Sequence, residues 1–234
     1  MKVQLGRVFL IAIGGLLAIS AHGRVQAASM AITEWAYAAN APGGEYVEFT
    51  NVSNAPIDMT NWSEDDNDRN AGKHDFGTTF GIVQPGQSVL MTEVAPATFR
   101  SVWNLPSTVA VWGPYTDDNL GRSDEINLYD ASNNLVDRLT FNDQTGQGPR
   151  ANNVGANIPL ADLGMNKASS AVLSVVGDAY GSYKSTAGDI GNPGIYTPFQ
   201  VPEPATITLI ATAALMLVTR RLVGGRKVAS RQAS

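Results

Sequence analysis

The sequence predicts an all-β sandwich, and three observations carry that prediction. Short apolar runs rich in Val, Ile, Thr and aromatic residues alternate with clusters of Gly, Pro, Asn and Asp. About eight such runs recur at regular spacing, the pattern of a sandwich and not of alternating strands and helices. Away from the two ends, no window of 15 residues holds a helical period.

The elements follow in order. Residues 31–37 (AITEWAY) form a first strand, and residues 45–51 (EYVEFTN) a second after the turn Pro42-Gly43-Gly44. In the second strand Tyr46, Glu48 and Thr50 share one face, with Val47 and Phe49 on the other. A short strand at 57–62 ends in Trp62, and residues 75–80 have room for another. The Pro85-Gly86 turn introduces a strand at 88–93. Residues 95–103 are the one predicted helix, with Pro96 in its first turn and Phe99 and Trp103 on one face. A strand at 109–112 follows. The clearest hairpin joins 125–129 to 135–141, and strands at 172–176 and 181–184 finish the sheet. The Gly/Asn-rich stretch 142–164 reads as a long surface loop, and there is no internal repeat.

Both ends carry targeting signals. Lys2 and Arg7 precede an apolar stretch at 8–19, and Val25-Gln26-Ala27 places small residues at −3 and −1 of a cleavage site. Residues 1–27 therefore read as a secretory signal peptide, cut after Ala27. At the other end, Val201-Pro202-Glu203-Pro204 stands before 15 uncharged residues, 205–219. Ile207, Leu209, Ile210, Leu215, Leu217 and Val218 supply the apolar surface of this membrane segment. As a helix it would span roughly 22 Å, short of the ~30 Å hydrocarbon core, which suits a temporary anchor. Arg220 and Arg221 begin a basic stop, continued by Arg226, Lys227 and Arg231, that stays cytoplasmic. The order of motif, apolar segment and basic end resembles the PEP-CTERM sorting tail of bacterial exported proteins. That resemblance implies a Gram-negative, exopolysaccharide-making host, transient residence in the inner membrane, and processing by the protease-transpeptidase exosortase near Pro202-Glu203-Pro204. The product would lie at the cell surface or in the extracellular matrix.

Residues 28–200 remain as one domain of a size to bury a substantial core. Half of the 16 basic residues lie in the two ends, but only Glu203 of the 21 acidic ones, so the domain carries −12 against −5 for the whole chain. Such a charge repels phosphate backbones and argues against nucleic acid as a partner, while suiting divalent cations. With no cysteine, disulfides, thiolate nucleophiles and cysteine-ligated metals are excluded.

Several segments resemble the lamin tail domain, an immunoglobulin-like β-sandwich. They are Ile32-Thr33-Glu34-Trp35, Glu45-Tyr46-Val47-Glu48-Phe49-Thr50-Asn51, the strand ending in Trp62, Pro85-Gly86 before Val89-Leu90-Met91, residues 124–130 with Val136-Asp137, and Gly191-Asn192-Pro193-Gly194. The resemblance spans residues 30–197 and implies an interaction module with no catalytic set. The stretches 92–119 and 142–164 exceed the family pattern, and the basic character linked to DNA association is absent.

Two clusters qualify as sites. Glu64, Asp65, Asp66 and Asp68 offer the hard oxygen ligands calcium takes, without the glycine and glutamate of an EF-hand loop; a solvated acidic turn is the plainer reading. Trp112 and Tyr115 flank a Gly-Pro turn and are expected to offer an exposed contact for a ligand, whereas Trp35 and Trp62 are expected in the core. His74 beside Asp75 lacks a nucleophile motif, and Glu45 and Glu48 fall on opposite faces of a strand, so no catalytic residue is assigned. The resulting expectation is an exported, non-enzymatic surface or matrix protein that binds polysaccharide or protein, with calcium as its one candidate cofactor. The alternatives are a secreted metal-dependent hydrolase of polysaccharide or phosphodiester, and a structural adhesin that self-associates through a sandwich edge.

Overall fold

The computed structural model describes residues 30–117 and 119–197. The segments read as a signal peptide (1–27) and a sorting tail, with Val201 to Pro204, the apolar stretch and Arg220-Arg221, lie outside the described residues, as does Asp118. Among the described residues no helix is long and apolar enough to cross a membrane.

Among the described residues, fourteen strands and one α-helix follow in order, with two single 3-10 turns at Leu160–Asp162 and Ala168–Ser170. They are β1 (Met30–Ala36), β2 (Tyr46–Asn51), β3 (Ile57–Asp58), β4 (Ser63–Asp65), β5 (His74–Asp75), β6 (Ile82–Val83), β7 (Ser88–Thr92), α1 (Pro96–Trp103), β8 (Ala110–Trp112), β9 (Ser123–Tyr129), β10 (Leu135–Asn142), β11 (Ala156–Asn157), β12 (Val172–Leu173), β13 (Tyr183–Lys184) and β14 (Ile190–Gly191). Two sheets form the sandwich: β12-β11-β1-β2-β7-β8, in which only the β7–β8 pair is parallel, and β10-β9-β4-β5.

Local chemistry explains the elements. In β1 the register jumps between Ile32, opposite Phe49, and Glu34, opposite Glu48, so Thr33 is an extra residue. A bulge of this kind resets the alternation of side chains. Ile32 and Trp35 accordingly share one core, while Thr33 and Glu34 serve a polar network described below. The β9–β10 hairpin turns through Asp130, whose Oδ1 accepts from the Ser132 and Asn134 N–H groups, with Asn133 left-handed at φ 63°. Helix α1 starts at Pro96, buries Phe99, Val102 and Trp103, and ends at left-handed Asn104.

The main core lies between the sheets, where Ile32, Trp35, Val47 and Phe49 meet Ile126, Leu128, Leu139 and Phe141. A second core forms on the other face of the six-stranded sheet, with Tyr46 and Leu90 under Phe99, Val102 and Trp103 of α1. The alternation read in β2 holds, yet both of its faces are buried. The outer face is polar because hydrogen-bond partners, not water, cover it.

Three expectations need correction. The strand at 57–62 is only two residues long; left-handed Asn61 breaks it and Trp62 is half-buried. The acidic run is not all turn, since Ser63–Asp65 is a buried strand paired to β9. Residues 142–164 are not simply a surface loop: β11 pairs with β1, and Ala156 and Asn157 are fully buried. An alanine Cβ at Gly155 would lie 2.7 Å from Glu34 Cδ and closer still to its Oε1. Gly155→Ala is therefore expected to cost about 3 kcal/mol by overpacking. Gly146→Ala, at φ 78° with nothing within 4 Å, is expected to cost about 1 kcal/mol in backbone strain. Urea unfolding of the two variants measures the difference.

Candidate functional site

The motif residues converge on buried carboxyls. Glu34 and Glu48 face each other across β1 and β2 with no solvent exposure. Glu48 accepts from the Thr33 hydroxyl at 2.6 Å and the Gly194 N–H at 2.6 Å. Glu34 accepts from the Asn192 N–H at 3.1 Å and the Ser174 hydroxyl at 3.1 Å. Asn157 Nδ2 donates to Ser174 Oγ and Asn192 Oδ1, both at 2.9 Å. The hydroxyls of Thr33, Thr50 and Ser88 run in 2.8 Å steps across three strands. Burial pushes both carboxyls well above the ordinary range, and the facing charge of Glu48 raises Glu34 further.

Three other carboxyls are held in the same manner. Glu45 accepts from the Tyr115 hydroxyl at 2.7 Å and the Leu120 N–H at 2.8 Å; burial lifts it to about 8. Glu64 meets His74 Nδ1 at 3.0 Å and is lifted by burial to about 7. Asp137 accepts from Ile32 N–H and Arg138 N–H, both at 2.8 Å, tying β10 to the bulge of β1, and burial lifts it to about 6. Glu125 is the opposite case. Arg69 grips it with two bonds of 2.7 and 2.8 Å, which holds it down to about 2.

The expected sites fare differently. Tyr115 is not an exposed contact: it is 4% exposed, with its hydroxyl committed to Glu45, while Trp112 is half-buried against Phe76 and His74. Glu64 turns to His74, Asp65 Oδ2 accepts from Asn70 N–H, Asp66 Oδ1 accepts from Asp68 N–H at 3.1 Å, and Asp68 is exposed. Among the described residues no group of three or more His, Cys, Asp or Glu is placed to hold a metal ion. His74 is 5% exposed and pairs with Glu64, whereas Asp75 accepts from Gly77 N–H. Glu45 and Glu48 sit in separate networks, as their strand spacing implies.

The open surface has polar depressions and an apolar one. Two adjoining depressions of about 360 and 270 Å³ share Thr140 and Gln147. Asn67, Arg69, Ser123, Asn166 and Lys167 line the rest of this shelf beside β10. An apolar groove of about 580 Å³ lies between α1 and the last described segment, walled by Trp103, Leu105, Val109, Tyr183, Pro193 and Ile195. Sequence reasoning grouped Tyr46, Glu48 and Thr50 on one face of a strand but gave that face no partners, and so missed the polar network. The signal was the density of carboxyls in otherwise apolar strands.

Such a sandwich, tied through the I-x-E and E-Y-x-E segments, is the fold of one family. The lamin tail domain model matches residues 25–143, and the chain belongs to that family. Members are generally non-catalytic β-sandwich interaction modules. No curated protein matches the chain.

The carboxyls make stability depend on pH with a defined sign. Each of the five has a folded-state pKa above its unfolded one, so on raising the pH the unfolded chain loses its proton first. Their contribution is complete below about pH 4.5 for the glutamates and about 3.8 for Asp137, and is lost as the pH climbs through the folded values, about 6 for Asp137, 7 for Glu64 and 8 for Glu45. Glu125 stays ionised throughout that window. The midpoint of thermal unfolding is expected to be higher at pH 5 than at pH 9, by about 5 °C or more, in a calorimetric series.

Proposed function

We propose that the chain is an exported, non-enzymatic module that binds a hydroxyl-rich surface polymer or a protein through the polar shelf beside β10. The observation that carries this reading is the disposition of its reactive side chains. Glu34, Glu45, Glu48, Glu64 and His74 are each at most 5% exposed and bonded within the fold. The shelf beside β10 presents amides, hydroxyls and a neutralised Arg69–Glu125 pair, groups suited to sugar hydroxyls. His74, the one candidate base for a hydrolytic site, is packed against Trp112 and Tyr115 and bonded to buried Glu64.

Edge chemistry favours a binder over a self-pairing adhesin. Along β10 the N–H groups of Arg138, Thr140 and Asn142 donate to Asp137 Oδ1, Asn166 Oδ1 and Gln147 O. Beside β12 the Val175 N–H donates to Asp178 Oδ2. Donors satisfied internally are closed to strand addition by a second copy.

The terminal signals support passage through the inner membrane and exosortase cleavage near Pro202-Glu203-Pro204, with delivery to the surface or matrix. Intact-mass and terminal sequencing of protein from fractionated host cells is expected to find a species beginning near Ala28 and ending near Pro204 outside the cytoplasm. Recovery of an uncut cytoplasmic chain overturns the export reading. For the shelf, co-sedimentation with the host's exopolysaccharide is expected to weaken at least about tenfold in an Asn67→Ala/Gln147→Ala variant. Both side chains are exposed, so unfolding midpoints should match the parent.

A further inference from the structure

Residues 192–195, just before Tyr196 of the main core, are tied to the six-stranded sheet by two carboxyls and by the bond from Asn157 Nδ2 to Asn192 Oδ1. Asn192 N–H donates to Glu34 and Gly194 N–H to Glu48. The same residues form one wall of the apolar groove: Pro193, Gly194 and Ile195 face Trp103 and Val109 across it. The titratable groups facing the pair are tyrosines, namely Tyr46 of β2, Tyr183 of β13 and Tyr196 just after the segment. Among the described residues no lysine, arginine or histidine forms an ion pair with either carboxyl.

We propose that Glu34 and Glu48 form a proton-operated latch that seats residues 192–195 against the sheet while the pair retains a proton, and releases them when both carboxyls ionise. Two adjacent buried charges without a cation repel each other and lack water, so the doubly ionised pair is the costly state. Moving residues 192–195 outward admits water to both carboxyls and relieves that cost. The sandwich need not open, because Tyr196, which belongs to the main core and donates its hydroxyl to Ile158 O, stays in place. Release would remove one wall of the groove and uncover Trp103. The mildly acidic form is thus closed and the alkaline form open.

Amide hydrogen exchange of the full chain at pH 6 and pH 9, corrected for intrinsic rates, tests the latch. Peptides covering 190–197 are expected to lose protection at pH 9 by about tenfold more than peptides from β2 or β9. The Glu34→Gln/Glu48→Gln variant, which cannot ionise, is expected to keep that protection at pH 9. Uniform loss across the chain, or equal loss in the variant, overturns the proposal. If the variant does not fold, the side-chain ¹³C shifts of Glu34 and Glu48 in the parent protein decide. Titration of both over the interval in which 190–197 loses protection supports the latch, and two carboxylates already ionised at pH 6 overturn it.

Discussion

The extra residue in β1 sets the geometry that the other layers inherit. Without Thr33 as a bulge, strict alternation would place Ile32 and Glu34 on one side and Thr33 and Trp35 on the other. A carboxylate would then lie among Phe49, Ile126 and Phe141, and a tryptophan would face the Thr50–Ser88 hydroxyls. The bulge turns Trp35 into the main core, where it packs 5.5 Å from Phe141, and turns Glu34 toward Glu48. Asp137 holds that geometry from the opposite sheet by accepting from the Ile32 N–H. One local irregularity thereby aligns the sheet-to-sheet core, the polar network and the closing segment.

The polar network is built almost without cations. Its donors are hydroxyls, backbone N–H groups and the Asn157 amide, so the carboxyls gain directional bonds but little compensation for lost hydration. Protonation resolves that imbalance, and a neutral carboxyl can donate as well as accept. On the solvent side of the second sheet, Glu125 is paired with Arg69 and stays ionised. One small sandwich therefore treats the same functional group in two opposite ways, according to whether a guanidinium is within reach.

Much of the architecture could be read from the sequence. The period-two pattern located β1, β2, β7 and the β9–β10 hairpin, and Pro96 with Phe99 and Trp103 located α1, because these elements combine local preference with a buried apolar face. Among the two-residue strands, β3, β5, β12 and β13 were expected but drawn too long, while β6, β11 and β14 escaped notice because tertiary pairing creates them: β11 has no pattern of its own and exists because β1 offers it an edge. The site was less legible. Tyr115 seemed exposed from its Gly-Pro turn, yet it folds back onto Glu45, a partner 70 residues away in sequence. The acidic run seemed a possible cation loop, but strand pairing to β9 separates its side chains. Glu34 and Glu48 were visible as motif letters, while their confrontation depended on the bulge, which leaves no mark that periodicity can detect.

The formal charge of the domain counts every carboxyl as ionised, and the fold does not honour that count. With Glu45 lifted to about 8 and Glu34 raised by burial and by Glu48, the native domain carries fewer negative charges at neutral pH than its composition states. Unfolding at that pH releases these protons to the solvent. The heat of unfolding then includes the ionisation heat of whichever buffer takes them up, and the native protein migrates toward the anode more slowly than its unfolded chain would at equal size.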